Sequence, residues 1–288
     1  MSKTVGTEIR IQVGAFCLSM RFRDSDYAAS VRRYYAGYLS EKEPDLLIDV
    51  DITLHNEKIN VPNALQAQKS VEGNRFDFHS GLLKGTLNLK DKRCKIVVKN
   101  ALLSESCIRV FEQFLYQAYY TLLKHNNPDT DLNDLLVHAA GVGREGWGYV
   151  FTGPPMSGKS TIASLSSGHT ILNDEIVIVG KRNGRFHVQS TPFNGKCKTK
   201  KEACLPLRAI CYLKQDKRNY LEKLDKSEFI RLFFHEVIPP YPLLSRDKAQ
   251  ALSDMLDFCI HVTQEVPFYS LHFLPDVSFW ECIEELME

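Results

Sequence analysis

Nine consecutive residues constrain this chain more than any other feature. Gly153-Pro-Pro-Met-Ser-Gly-Lys-Ser fits the pattern G-x-x-x-x-G-K-[ST] at every fixed position, and Thr161 follows. Glycines at that spacing let the backbone curl until successive N–H groups point inward at an anion. A helix starting on the same loop turns its positive end toward the same place. Lys159 adds a point charge suited to β- and γ-phosphates, and the Ser160 hydroxyl suits Mg²⁺. The apolar run Tyr149-Val-Phe-Thr reads as a strand ahead of the loop, and Ser160–Ser166 as a short helix after it. A plain Gly/Pro turn is the alternative, and the strand and helix on either side argue against it. The reading assigns nucleotide binding to Gly153, Pro154, Pro155, Met156, Ser157, Gly158, Lys159, Ser160 and Thr161.

Composition narrows the class of partner. The chain has 288 residues, enough for one large domain or two modest ones. A net charge of +1 gives no global attraction to nucleic acid or to an anionic membrane surface. No apolar run approaches the length of a bilayer span, and the N-terminus lacks the pattern of a signal peptide, so a cytosolic setting is expected. None of the eight cysteines lies in a C-x-x-C pair. Cys197, Cys204 and Cys211 fall seven apart, but Cys204 and Cys211 flank an apolar stretch and read as buried thiols rather than zinc ligands.

The rest of the chain reads as α/β (α+β). A hairpin is expected around Gly14, a helix over Asp24–Tyr38, a strand over Leu46–Leu54 and a loop over Asn56–Asn74. Phe76–Phe78, Leu82–Leu89 and Cys94–Val98 suggest a small meander, and Leu102–Leu123 carries the longest helical pattern. The breakers in His125-Asn-Asn-Pro-Asp-Thr-Asp mark a boundary between an N-terminal mixed strand-helix lobe (1–130), of unknown role, and a nucleotide-binding domain (131–288). That second part predicts strands at Leu135–Ala140 and Tyr149–Thr152 joined through Gly141–Gly146. Short strands follow at Thr170–Leu172, Ile176–Val179, Phe186–Ser190, Ala209–Leu213 and Phe268–Phe273. Helices are expected over Lys226–His235, Arg246–Val262 and Val277–Leu286.

Three further groups attract a chemical reading. Thr170-Ile-Leu-Asn-Asp-Glu is a short strand ending in two acids, about ten residues beyond Lys159. Beside a triphosphate, Asp174 and Glu175 suit Mg²⁺ binding or acceptance of a hydroxyl proton, and a solvated turn is the plainer alternative. His138 sits on the strand before the loop's strand, where its ring either bonds a phosphate or is a satisfied core group. Lys196, Lys198, Lys200 and Lys201 form a basic run that reads as a solvated face or as a segment touching an anion.

Val137-His138-Ala139, the loop Gly153–Thr161 and Gly168-His-Thr-Ile-Leu-Asn-Asp-Glu together resemble the HPr kinase/phosphorylase family, which shares a core with the ATP-dependent phosphoenolpyruvate carboxykinases. The short spacing between the loop and the acids carries the resemblance more than the loop does. It covers residues 134–213. Thr191-Pro-Phe-Asn-Gly and Leu205-Pro-Leu-Arg-Ala-Ile also resemble segments of less characterised members. The resemblance implies a P-loop kinase core and makes Asp174 the catalytic acid/base. It gives Lys159 and the loop amides the phosphates, and Ser160 with Glu175 the metal, which the reading of the two acids extends to Asp174, with His138 beside the transferring phosphate. The chain departs from the family in having Glu175 where Asp is usual, and in lacking the downstream Arg-Gly-Leu-Gly signature and the usual N-terminal domain.

The function implied is an ATP- and Mg²⁺-dependent kinase acting on a hydroxyl-bearing protein, peptide or small-molecule acceptor, with homo-oligomers as in the family. Two alternatives stand beside it: a nucleotide-dependent regulatory module without substantial catalysis, and a carboxykinase-type reaction. The chain's size and the lack of recognisable oxaloacetate-binding arginines weaken the second.

Overall fold

Alternating apolar and polar residues build the first sheet. The computed structural model describes residues 6–53, 66–69, 74–80, 83–99, 105–126, 133–193, 195, 197, 201–240 and 248–285. Its contacts divide the chain into two units, Met1–Thr130 with Pro240–Ala251, and Asp131–Pro239 with Leu252–Glu288.

In the first unit, β1 (Thr7–Val13) and β2 (Phe16–Phe22) form the hairpin, turned at Gly14 with φ of 57°. Helix α1 (Ser25–Tyr34) is capped by Asp24, whose carboxylate accepts the Tyr27 N–H at 2.8 Å. It is shorter than the sequence pattern suggests, giving way to a 3₁₀ turn over Ala36–Tyr38 that buries Tyr38. Then come β3 (Leu46–Thr53), β4 (Gln66–Lys69), β5 (Arg75–His79), β6 (Leu83–Asn88) and β7 (Arg93–Lys99). The seven strands lie in the order β1-β2-β3-β7-β6-β5-β4. Strand β4 falls inside the stretch read as a loop. Its sequence, Gln-Ala-Gln-Lys, offers little apolar alternation, and among the described residues it pairs with β5 alone, at the end of the sheet. The remainder of that stretch, 56–65 and 70–73, lies outside the described residues. Helix α2 (Glu105–Asn126) sets Phe114 against Phe78, rings stacked at 4.8 Å, and Tyr119 edge-on to Phe16.

The second unit opens with β8 (Asp134–Arg144) and β9 (Trp147–Thr152), followed by the short helix α3 (Lys159–Leu165). Strands β10 (Thr170–Asn173), β11 (Ile176–Arg182), β12 (Arg185–Gln189), β13 (Cys204–Gln215) and β14 (Tyr220–Lys223) come next. They are followed by α4 (Lys226–Glu236), α5 (Lys248–Glu265, in this unit from Leu252), β15 (Phe268–Phe273) and α6 (Phe279–Glu285). The connection expected over Gly141–Gly146 is mostly strand. Gly141 and Gly143 serve close packing there: a Cβ on Gly141 would lie 2.8 Å from Val177, and one on Gly143 2.3 Å from Leu205. The turn itself is the two-residue Glu145–Gly146, both at positive φ.

Pairing in this unit closes on itself. Strand β8 pairs with β9, β9 with β13, β13 with β12, β12 with β11, and β11 with β8. Strands β9, β13 and β15 run parallel, so their carboxyl ends share one side of the sheet. Phe151, Ile162, Cys211, Leu271, Phe273, Phe279 and Trp280 fill the core between this sheet, α3 and α6. Cys211 is buried and its thiol is pushed up to about 12, but Cys204, read as buried, is exposed at the start of β13, near Arg182. Among the described residues no group of three or more His, Cys, Asp or Glu side chains is placed to hold a metal ion, and no helix is long and apolar enough to cross a membrane.

Candidate functional site

Strand β9 delivers the chain to the glycine loop. Gly153 and Gly158 both take positive φ, 148° and 111°, which favours glycine at each. A Cβ on Gly158 would approach the Phe273 ring to 2.4 Å, so the loop sits hard against the end of β15. The neighbouring parallel strand holds the loop's tip, where Gln215 Nε2 donates to the Met156 carbonyl at 2.8 Å. Pro154, Pro155 and Met156 are exposed, Ser157 and Lys159 buried, Ser160 half-buried and Thr161 exposed.

Inside the loop, the Lys159 ammonium donates to the Gly153 carbonyl at 2.5 Å and the Pro154 carbonyl at 3.2 Å. Burial lowers its pKa, opposed by the charges of Glu236 and Glu175. The Ser157 hydroxyl is also buried, and it has no hydrogen-bond partner among the described residues. A buried hydroxyl in that state is costly unless something else satisfies it. A curled backbone, an inward lysine and an orphaned hydroxyl are what a bound oxyanion would complete.

His138 lies on β8, beside the loop's strand. Its Nε2 is 3.2 Å from Glu175 Oε1 and its Nδ1 3.4 Å from Glu236 Oε2. Hydrogen bonds to Glu175 and then Glu236 raise its pKa to about 9, against burial and the charge of Lys159. The ring therefore carries a positive charge at neutral pH.

Asp174 and Glu175 interrupt an otherwise continuous edge. Strands β10 and β11 both run antiparallel along β8, and between them the Ala139 N–H donates to the Glu175 carbonyl at 3.0 Å. Asn173, fully buried, fixes this break. Its Nδ2 donates to the Thr191 carbonyl, the Thr191 hydroxyl and the Phe193 carbonyl, all within 3.1 Å, while its Oδ1 accepts the Glu175 N–H at 2.9 Å. Glu175 points to His138. Asp174 is 2% exposed, and its Oδ1 accepts the Cys197 N–H at 3.1 Å.

The structure thus brings His138, Lys159 and Glu175 into one electrostatic cluster and sets Asp174 against Gly195 and Cys197. Sequence reading missed Glu236. An acid at the end of a helix carries no local signal. It reaches His138 because Val237 bridges Val137 and the Ile238 N–H donates to the Leu136 carbonyl. Lys196, Lys198 and Lys200 lie outside the described residues. Lys201 is exposed, its N–H bonded to the Ile171 carbonyl.

Fold and site define a mixed α/β protein with two mixed sheets, in which a glycine loop joins a strand to a short helix beside a His–Glu–Glu–Lys cluster. Residues 107–288, more than half of the chain, match the family model of the SynChlorMet cassette protein ScmC, and the chain belongs to that family. No curated protein matches it. Among solved structures, the chain is similar to the Hpr(Ser) kinase/phosphatase from Coxiella burnetii, at 14% identity over 31% of this chain and 77% of that one, with a TM-score of 0.23.

Proposed function

We propose that this protein is a phosphotransferase with a P-loop kinase core, taking ATP and Mg²⁺ at Gly153–Thr161 and transferring the γ-phosphate to a hydroxyl of a protein, peptide or small molecule. One observation carries the reading. The loop buries a lysine cation on its own carbonyls while the Ser157 hydroxyl beside it has no partner among the described residues, and a phosphate chain would satisfy both.

In this reading the loop amides and Lys159 bind the phosphates, with Lys159 exchanging carbonyl oxygens for phosphate oxygens. Ser160, Asp174 and Glu175 would hold the metal, which needs only one or two carboxylates besides the phosphates. Mg²⁺ bound there would supply charge neutralisation to the phosphates. Protonated His138 adds positive charge next to Glu175. Asp174 accepts the acceptor's hydroxyl proton as the new O–P bond forms and the bond to the bridging oxygen breaks, ADP leaving. Such transfer depends on positioning and charge more than on covalent chemistry.

A second reading, a nucleotide-dependent regulatory module, is favoured by the placement of Asp174. The acid is nearly buried and bonded to the Cys197 amide. Labelled γ-phosphate transfer to lysate proteins, peptides and hydroxy metabolites, with wild type and Asp174→Asn, decides between them. Product from wild type alone supports the kinase. Tight ATP binding with no product moves the assignment to the module.

A further inference from the structure

A cleft of about 370 Å³ opens at the start of β9. Its lining residues Trp147 and Tyr149 lie six and four residues before Gly153, so the cleft is roughly 13–20 Å from the glycine loop. Arg144 ends β8, Trp147 and Tyr149 share one face of β9, Arg208 comes from β13, and Trp280 and Glu284 come from α6. Arg208 falls where the β9–β13 register shifts, between Leu207 and Ala209. Such irregularities re-aim a side chain, often beside a site.

The chemistry of the walls is specific. The Arg144 guanidinium lies 5.1 Å from the centre of the Trp280 ring, and that of Arg208 5.1 Å from the Trp147 ring. Arg144 is also ion-paired with Glu284 and lies 3.8 Å from Glu145. Both arginine charges bear on the Tyr149 hydroxyl, opposing the upward push of burial. Two guanidiniums and a phenol therefore line the cleft, together with the carboxylates of Glu145 and Glu284. The Trp280 N–H is used by the Ser166 hydroxyl at 3.1 Å, which leaves its ring as an apolar wall.

We propose that this cleft is a second binding site, distinct from the glycine loop, for a ligand that joins a carboxylate to a flat ring. Arg144 is already paired with Glu284, so the Arg208 guanidinium is the group that matches a carboxylate, and the exposed Trp147 indole matches the ring. The same chemistry comes from a free ring acid or from the C-terminal aromatic residue of a peptide.

Both tryptophans of the chain line the cleft, so tryptophan emission reads it directly. The full chain is titrated with phenylacetate, phenylacetamide, Gly-Gly-Phe and its C-terminal amide. At least one acid is expected to give a saturable change with a dissociation constant at or below about 1 mM. The matching amide, or the acid with Arg208→Gln, is expected to bind at least about tenfold more weakly. Arg208→Lys, which keeps charge and stem but loses the fork, is also expected to weaken binding, and it serves if the Gln variant does not fold by circular dichroism. Tighter binding of the tripeptide assigns a peptide end, and tighter binding of phenylacetate a free acid. Equal binding of acid and amide, no loss in a folded Arg208 variant, no saturable change with either acid, or displacement by ATP overturns the proposal.

Discussion

His138 Nδ1 lies 3.4 Å from a carboxylate oxygen of Glu236, a residue 98 positions later that reaches it across the β8–α4 contact. With Glu175 on the other nitrogen, the folded protein holds the charged ring, raising its pKa from 6.5 to about 9. A raised pKa means the stabilisation is complete below about pH 6.5 and is lost as pH rises through 9. The melting temperature is expected to fall across that window, and Glu236→Gln to flatten part of the fall. A profile unchanged by Glu236→Gln would remove the pair from the account.

Gly158→Ala should destabilise the second unit. The new methyl group meets the Phe273 ring at 2.4 Å, at a φ of 111°. Overpacking of this kind costs about 1–3 kcal/mol, and the left-handed backbone adds to it. Urea unfolding of the variant measures the loss, and wild-type stability in it would contradict the packing described for the loop.

Lys159→Met separates binding from folding. The substitution removes two hydrogen bonds to the loop and also the cost of burying a cation. Stability is therefore expected to change by less than about 1 kcal/mol. ATP affinity is expected to fall about ten- to a hundredfold, as for loss of a charged hydrogen bond. Calorimetric titration and chemical unfolding together check this. Collapse of stability with unchanged affinity would make Lys159 a structural residue.

Asn173→Ala tests what sets the break before Asp174. The amide group donates to two carbonyls and a hydroxyl, all buried, and accepts the half-buried Glu175 N–H. Losing these bonds should cost roughly 2–3 kcal/mol. The His138 shift should shrink with it, because Glu175 would lose its anchor. NMR titration of the histidine ring follows that effect, and an unmoved ring pKa would show that Glu175 is placed by something else.

Local signals made part of this legible. The loop pattern needs only residue type and spacing, and the Asn-Asp-Glu stretch needs only a strand ending in acids, so both were readable from the chain. Where a residue's role depends on a distant partner, local pattern fails. Gly141 and Gly143 read as turn glycines because nothing nearby announces Val177 or Leu205, whose side chains occupy the space a Cβ would take. Glu236 reads as an ordinary helix end until β8 is laid beside Val237. Strand β4 shows little apolar pattern, and among the described residues β5 is its one neighbour. The burial of Asp174 beside Cys197 has no sequence signature, since the Cys197 contact comes from a backbone N–H that any residue there would supply.

The closed circuit of β8, β9, β13, β12 and β11 has a consequence for the nascent chain. The loop at 153–158 is held at its tip by Gln215, 59 residues later, and at its second glycine by Phe273. During synthesis it leaves the ribosome with only β8 available to pair with β9. At ordinary elongation rates its last support follows on the order of ten seconds later. Until then the glycines and the lysine exist only as sequence, and a chain released before β15 carries the motif without the architecture that shapes it.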